Sequence, residues 1–273
     1  MNTESKYLWE KWNPIVSANV KYRLNENALT QPFMWKEKRI VEIDYDFFKK
    51  ENPIDYKNFY ELYKVIQSSP HHIFLLSTAN PDAMDMYLTL FATQMNLEDE
   101  VTVLCPNLLK GLLVSSQQEF DIRRTYISHN PLLINVLFLK NISTYINITE
   151  WLDYYDPYFV DNTEKTNPIQ WIIIEGGEKP IHPNWIRDII KFGSSYSIPV
   201  YFKSWGEWIP AGTFLSYDTP DIVYLNQNGD ISKTDENIVN VVCLKRVGKM
   251  KSGCLLNEVL YHEIPIIKKT ISR

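Results

Sequence analysis

The stretch WIIIEGGEKPIHPNWIRDIIKFGSSYSIPVYFK, residues 171–203, carries a strand, a turn, a helix and a second strand in one run. Trp171 to Ile174 form an unbroken apolar segment that ends at Glu175 and turns at Gly176-Gly177. Pro183 suits the first turn of a helix, and Trp185, Ile186, Ile189, Ile190 and Phe192 follow at helical spacing. Residues 199–203 (PVYFK) then supply the next apolar run. A strand returned to parallel pairing by a crossover helix is the repeating unit of an α/β protein.

The same unit recurs toward the N-terminus. Residues 38–44 (KRIVEID) read as a strand, followed by Tyr56, Phe59, Tyr60, Tyr63 and Ile66 on a helical stripe. Residues 72–77 (HIFLLS) read as another, and Asn80-Pro81 opens a helix with Met84, Tyr87, Leu88, Phe91 and Met95 inward. Residues 100–105 (EVTVLC) precede the mixed segment 115–129, and residues 134–140 (INVLFLK) precede 148–155, where the pattern allows a short helix. Six such units predict parallel strands covered by helices, which a doubly wound sheet and a barrel both satisfy. In either, ligands lie at the C-terminal ends of the strands, so Asp44, Ser77, Thr78, Glu175, Gly176, Gly177, Lys203 and Trp205 are expected around one opening.

We read residues 1–273 as one domain, with 206–273 as a C-terminal extension packed on it. Apolar patches at 221–225 and 238–244, separated by Asn228-Gly229, predict a hairpin there. Residues 156–169 read as an insertion loop, being polar with two prolines.

Composition narrows the function classes. A net charge of −5 argues against nucleic-acid binding through overall electrostatics and leaves only local basic patches. Cys105, Cys243 and Cys254 are too scattered for a disulfide framework, and MNTESKYLWE has no apolar leader, so a cytoplasmic location is expected. No run approaches the roughly 18 apolar residues that span a bilayer. The five histidines show no metal-ligand spacing, so no metal is expected.

Four blocks near the C-terminus, WIIIEGGE, HPNWIRDI, IPVYFKSWGEW and VGKMKSGCLLNEVLYHEIP, carry a family resemblance, with weaker support from WNPI at Trp12 to Ile15, Ser68 to Asp82, and Ile134 to Ile148. In order and spacing the chain resembles the phage Gp37/Gp68 proteins (DUF5131), a group of unknown function that is similar to radical-SAM enzymes. The resemblance implies an open (β/α)6 partial TIM barrel of radical-SAM type with a C-terminal appendage, and a phage or prophage source.

It also exposes a departure. After Trp-Asn-Pro the family carries a cysteine group, including a C-x-x-C pair, that resembles an iron–sulfur cluster site. Here that stretch runs from Ile15 to Arg23 without a cysteine. Reductive cleavage of S-adenosylmethionine needs a cluster held by thiolates, so radical-SAM chemistry and an iron–sulfur cofactor are not expected. The family's Lys-Arg-Pro becomes Thr78-Ala79-Asn80-Pro81, its Phe-Lys-Gln-Trp becomes Phe202-Lys203-Ser204-Trp205, and its loop after Gly176-Gly177-Glu178 is shortened. The expectation is a non-catalytic accessory protein that binds either a host or defence protein or a nucleotide-like ligand, with a residual adenosyl or nucleotide site at Asp44, Thr78, Glu175, Gly176, Gly177, Lys203, Trp205 and Glu207.

Within that set, Gly176-Gly177 reads either as a phosphate-approaching turn or as a plain tight turn. Lys203, Trp205, Glu207 and Trp208 read either as an anion-holding, base-stacking cluster or as an aromatic plug. The alternatives are a cluster-independent enzyme on a nucleotide or nucleic-acid substrate, centred on Lys203, Trp205 and Glu207, and a nucleic-acid-binding module using Lys245, Arg246, Lys249 and Lys251.

Overall fold

The computed structural model describes residues 7–16, 23–43, 47–48, 53–96, 105–129, 136–149, 169–211, 221–233 and 241–267. Asp44, residues 100–104, 150–155 and most of the 156–169 loop therefore lie outside the described residues. The fold is mixed α/β, and the chain divides into two compact units. One comprises Met1–Leu112 with Leu132–Ile134 and Ile266–Arg273, the other Leu113–Pro131 with Asn135–Pro265.

In the first unit, β1 (Leu8–Trp12), a short antiparallel pair β2 (Ile15–Val16) and β3 (Arg23–Leu24), helix α1 (Glu26–Met34), β4 (Arg39–Ile43), α2 (Tyr56–Gln67), β5 (Ile73–Thr78), α3 (Pro81–Gln94) and the start of β6 (Leu108–Val114) follow in order. Strands β1, β4, β5 and β6 pair in that order, all parallel. Local chemistry sets the helix starts: Asn25 accepts from the Ala28 N–H and Asp55 from the Asn58 N–H. Phe47, Phe48, Phe59, Tyr87 and Phe91 pack edge to face beneath α2 and α3.

Of the strand expected at 100–105, only Cys105 lies among the described residues. The strand before residues 115–129 is Leu108–Val114, and Cys105 precedes it in a turn. Pro106 interrupts the run, and Asn107 fixes the turn by donating to the carbonyls of Ile66, Ser69 and His72, so pairing begins only at Leu108. The added strand β1 carries Glu10 and Lys11 side by side, which breaks its apolar pattern, and its Trp9 indole donates to the buried Glu42 carboxylate at 3.1 Å.

In the second unit α4 (Gln117–His129), β7 (Val136–Lys140), β8 (Trp171–Glu175), α5 (Pro183–Tyr196) and β9 (Val200–Ser204) follow. Strands β7, β8 and β9 pair in parallel, with Leu137 opposite Ile172 and Ile173 opposite Tyr201. Trp171, Ile172, Ile173 and Ile174 are all buried, as expected of a parallel strand covered on both faces. The αβ turn is close-packed: Ser197 is left-handed (φ 55°), the Ile198 N–H returns to the Gly193 carbonyl, and a β-carbon on Gly193 would meet Val200 Cγ2 at 2.4 Å.

Beyond β9 lie β10 (Trp208–Pro210), β11 (Ile222–Asn226), β12 (Ile231–Ser232) and β13 (Val241–Arg246), an antiparallel sheet of order β10-β13-β11-β12. The Asn228-Gly229 turn joins β11 to β12, not to β13, because Asn226 and Asp230 close it with paired hydrogen bonds. The expected pairing of the two apolar patches forms nonetheless, on the other edge of β11. A last hairpin, β14 (Leu255–Leu256) and β15 (Val259–Leu260), turns on Asn257 and Glu258, both at positive φ.

From this hairpin to Glu263 the chain lies along β9. The Phe202 N–H donates to the Tyr261 carbonyl at 2.7 Å, Glu263 N–H to Val200, and the Tyr201 ring stacks on His262 at 4.1 Å. The open edge of β9 is thereby covered within the second unit.

Candidate functional site

The C-terminal ends of β7, β8 and β9 bring three charges together. Lys140 ends β7, Glu175 ends β8, and Lys203 stands one residue before the end of β9. Glu175 Oε2 lies 3.0 Å from Lys203 Nζ and 3.6 Å from Lys140 Nζ. The side chains are only 15%, 13% and 27% exposed for Glu175, Lys203 and Lys140, so these charges face one another with limited solvent screening. Both contacts are ionic and not aligned hydrogen bonds. Phe138, two residues earlier on β7, places its ring 5.2 Å from Lys140 Nζ and 5.8 Å from Lys203 Nζ. One carboxylate thus stands between two ammonium groups beside an aromatic face.

The loops around this group are held by backbone. Asn141 N–H donates to the Glu175 carbonyl at 2.9 Å, Gly176 N–H to Ser204 at 2.8 Å, and Glu207 N–H to Gly177 at 2.9 Å. A β-carbon on Gly176 would stand 2.0 Å from the Trp205 carbonyl oxygen, and one on Gly177 2.2 Å from Asn141 Oδ1. The glycines thus admit neighbouring protein atoms on those sides.

Trp205 is 2% exposed, its indole N–H donates to the Leu255 carbonyl at 2.8 Å, and its ring meets Phe202 edge-on at 5.0 Å. Glu207 accepts from Arg246 Nε at 2.7 Å and from Nη2. That hydrogen-bonded pairing raises the Arg246 pKa further. Trp208 donates to the Glu178 carbonyl at 2.8 Å. Trp205 and Glu207 therefore brace the loops beside Glu175 and Lys203.

Thr78 ends β5 in the first unit, is fully buried, and accepts from the Asn80 N–H at 2.9 Å, so its hydroxyl shapes the entry to α3. Ser77 precedes it on β5, and Asp44 lies outside the described residues. Of the basic patch, Lys245 and Arg246 lie on β13, whereas Lys249 and Lys251 flank Met250, which is 98% exposed in the loop between Gly248 and Gly253. Lys140 was not singled out from the sequence: its only signal is a lysine ending an apolar run, with its partner 35 residues later.

Among the described residues, no group of three or more His, Cys, Asp or Glu side chains is placed to hold a metal ion. No described helix is long and apolar enough to cross a membrane.

Parallel strands followed by crossover helices, with converging charges at their C-terminal ends, define the α/β class that places ligand sites at strand ends. Within that class the chain belongs to the family described as "Protein of unknown function (DUF5131)", whose model matches residues 2–265. No curated protein and no solved structure matches the chain.

Proposed function

We propose that this chain belongs to a phage lineage of radical-SAM-like (β/α)6 barrels but lacks the lineage's cysteine-cluster motif, and that it works by binding an anionic, nucleotide-like ligand at the ends of β7, β8 and β9. The observation that carries this reading is the convergence of Lys140 and Lys203 on one carboxylate above Phe138. A phosphate competes with Glu175 for both ammonium groups, and the Phe138 ring offers an apolar surface beside them. The absence of cysteine between Ile15 and Arg23 supports binding without radical chemistry.

Calorimetric titration with AMP tests the reading. Saturable binding that falls about tenfold or more in Lys203→Ala and in Lys140→Ala is expected. Binding that neither variant weakens overturns the site. Iron–sulfur reconstitution that yields a stoichiometric cluster and 5′-deoxyadenosine overturns the cluster-free lineage.

A second reading rests on the loop around Met250. Lys249 and Lys251 make no ion pair among the described residues, and Leu255, Val259 and Leu260 are exposed on the adjoining hairpin. Apolar groups beside basic ones suit an acidic host or defence protein better than a phosphate backbone. Salt-dependent DNA binding that disappears in the Lys249→Ala/Lys251→Ala variant would assign the loop to nucleic acid instead.

A further inference from the structure

A cleft in the second unit shares no lining residue with the Glu175 group. The segment Tyr145–Thr149 and one face of α5 flank a half-open cleft of about 370 Å³, within the range of small-molecule sites. Ile148 and Phe192 are buried at its base, while Tyr145 and Tyr196 stand exposed at its rim. The Phe192 and Tyr196 rings lie 4.8 Å apart at 39°, which makes a continuous aromatic surface.

Asp188 and Lys191 line the same cleft three residues apart on α5. Opposite charges at that spacing ordinarily pair on a helix. Here neither side chain makes a hydrogen bond or an ion pair with any described residue. Burial, and after it the Asp188 charge, pushes the Tyr145 hydroxyl above its ordinary pKa, so Tyr145 keeps its proton beside that carboxylate.

The two charges and the rings together select a ligand. Side chains three residues apart on a helix have β-carbons about 5–6 Å apart. A molecule whose own ammonium and carboxylate are joined through a single carbon can place one against each, with charge-assisted bonds of about 2.8 Å. A nucleotide cannot do so, since its ribose holds base and phosphate much farther apart. The apolar base calls for an aromatic side chain on that molecule.

We infer that this cleft binds a free aromatic α-amino acid, with Asp188 receiving the ammonium, Lys191 the carboxylate, and the ligand's ring lying on Phe192 between Tyr145 and Tyr196. The inference is independent of the strand-end site.

Titration of the full chain with L-tryptophan, read by calorimetry or ligand-observed NMR, tests it. Saturable binding with a Kd of about 1 mM or tighter is expected. N-acetyl-L-tryptophan and L-tryptophan amide, each lacking one charge, should bind about tenfold more weakly, as should Asp188→Asn and Lys191→Gln with L-tryptophan. Both residues are exposed, so the variants keep the fold, which far-UV circular dichroism verifies. Lys203→Ala should leave tryptophan binding unchanged. No saturation below about 10 mM, equal binding of the capped forms, or indifference to both variants overturns the proposal.

Discussion

Glu175 lies between two ammonium groups, so its neutral replacement removes an attraction that Lys140 and Lys203 share. We expect Glu175→Gln to lower stability by about 1–3 kcal/mol, less than a fully buried pair because all three side chains keep some solvent contact; urea unfolding measures it. The same variant should bind AMP more tightly, since the competing carboxylate charge is gone. Cys105 is a second residue-scale case: burial pushes its thiol up to about 12, and its Sγ lies 3.3 Å from Asn107 Oδ1. It should resist thiol reagents at pH 8 in the folded chain and react on unfolding, while Cys243 and Cys254 are only partly buried. What could be read of the site from the sequence divides along similar lines. Glu175 and Lys203 stand out because each ends an apolar run, which a parallel fold turns into a strand-end position. Trp205 also stands out, but whether an indole stacks on a ligand or closes a loop depends on its N–H acceptor, here Leu255, which lies 50 residues away.

At the scale of elements, the turn after β8 depends on where a β-carbon would point. Gly176→Ala would press against the Trp205 backbone, which cannot rotate away, and should cost about 2–3 kcal/mol. Gly177→Ala meets the Asn141 side chain, which can turn aside, and should cost about 1 kcal/mol. Thermal denaturation of the two variants side by side checks the order. Helix α5 offers a pH test. His182 caps it by accepting from the Asn184 N–H through Nδ1, and burial, reinforced by Arg187, holds its imidazole below the ordinary pKa of 6.5. His72 is likewise held low, mainly by burial, with Nδ1 accepting from the Arg39 N–H and Nε2 meeting the Pro32 carbonyl. Below pH 6.5 the unfolded chain takes up protons that the folded one refuses, so stability falls as pH drops from 6.5 toward the folded values. His182→Asn retains a capping oxygen and should flatten part of that decline in Tm, whereas His182→Ala loses the cap, at about 1 kcal/mol at every pH. The strands ending at Glu175 and Lys140 were legible because they are uniformly apolar. The start of β6 is not legible in the same way, because it is set by Asn107 reaching carbonyls 35 to 41 residues away, which local pattern does not contain.

At the scale of the whole molecule, parallel α/β organisation follows from alternating apolar runs and helical stripes, and each of the two units contains it. What the alternation does not encode is where a sheet stops. In the second unit β9 is finished by residues 253–263: Trp205 N–H donates to Gly253 at 3.1 Å, Trp171 Nε1 to Glu263 at 2.9 Å, and the Val200 N–H to the Glu263 carboxylate at 3.0 Å. Ending the chain at Ser252 should therefore expose the β9 edge and produce concentration-dependent association by light scattering, while the full chain stays monodisperse.

The covering of β9 also carries a schedule. A ribosome adding about 5–20 residues per second needs about 3–13 s to make the 63 residues that separate Val200 from Glu263. For that interval the strand exists without its cover. Folding of the second unit cannot finish while the chain is still growing through this region, and nascent-chain arrest between residues 205 and 260 would hold open an edge that the released protein never presents.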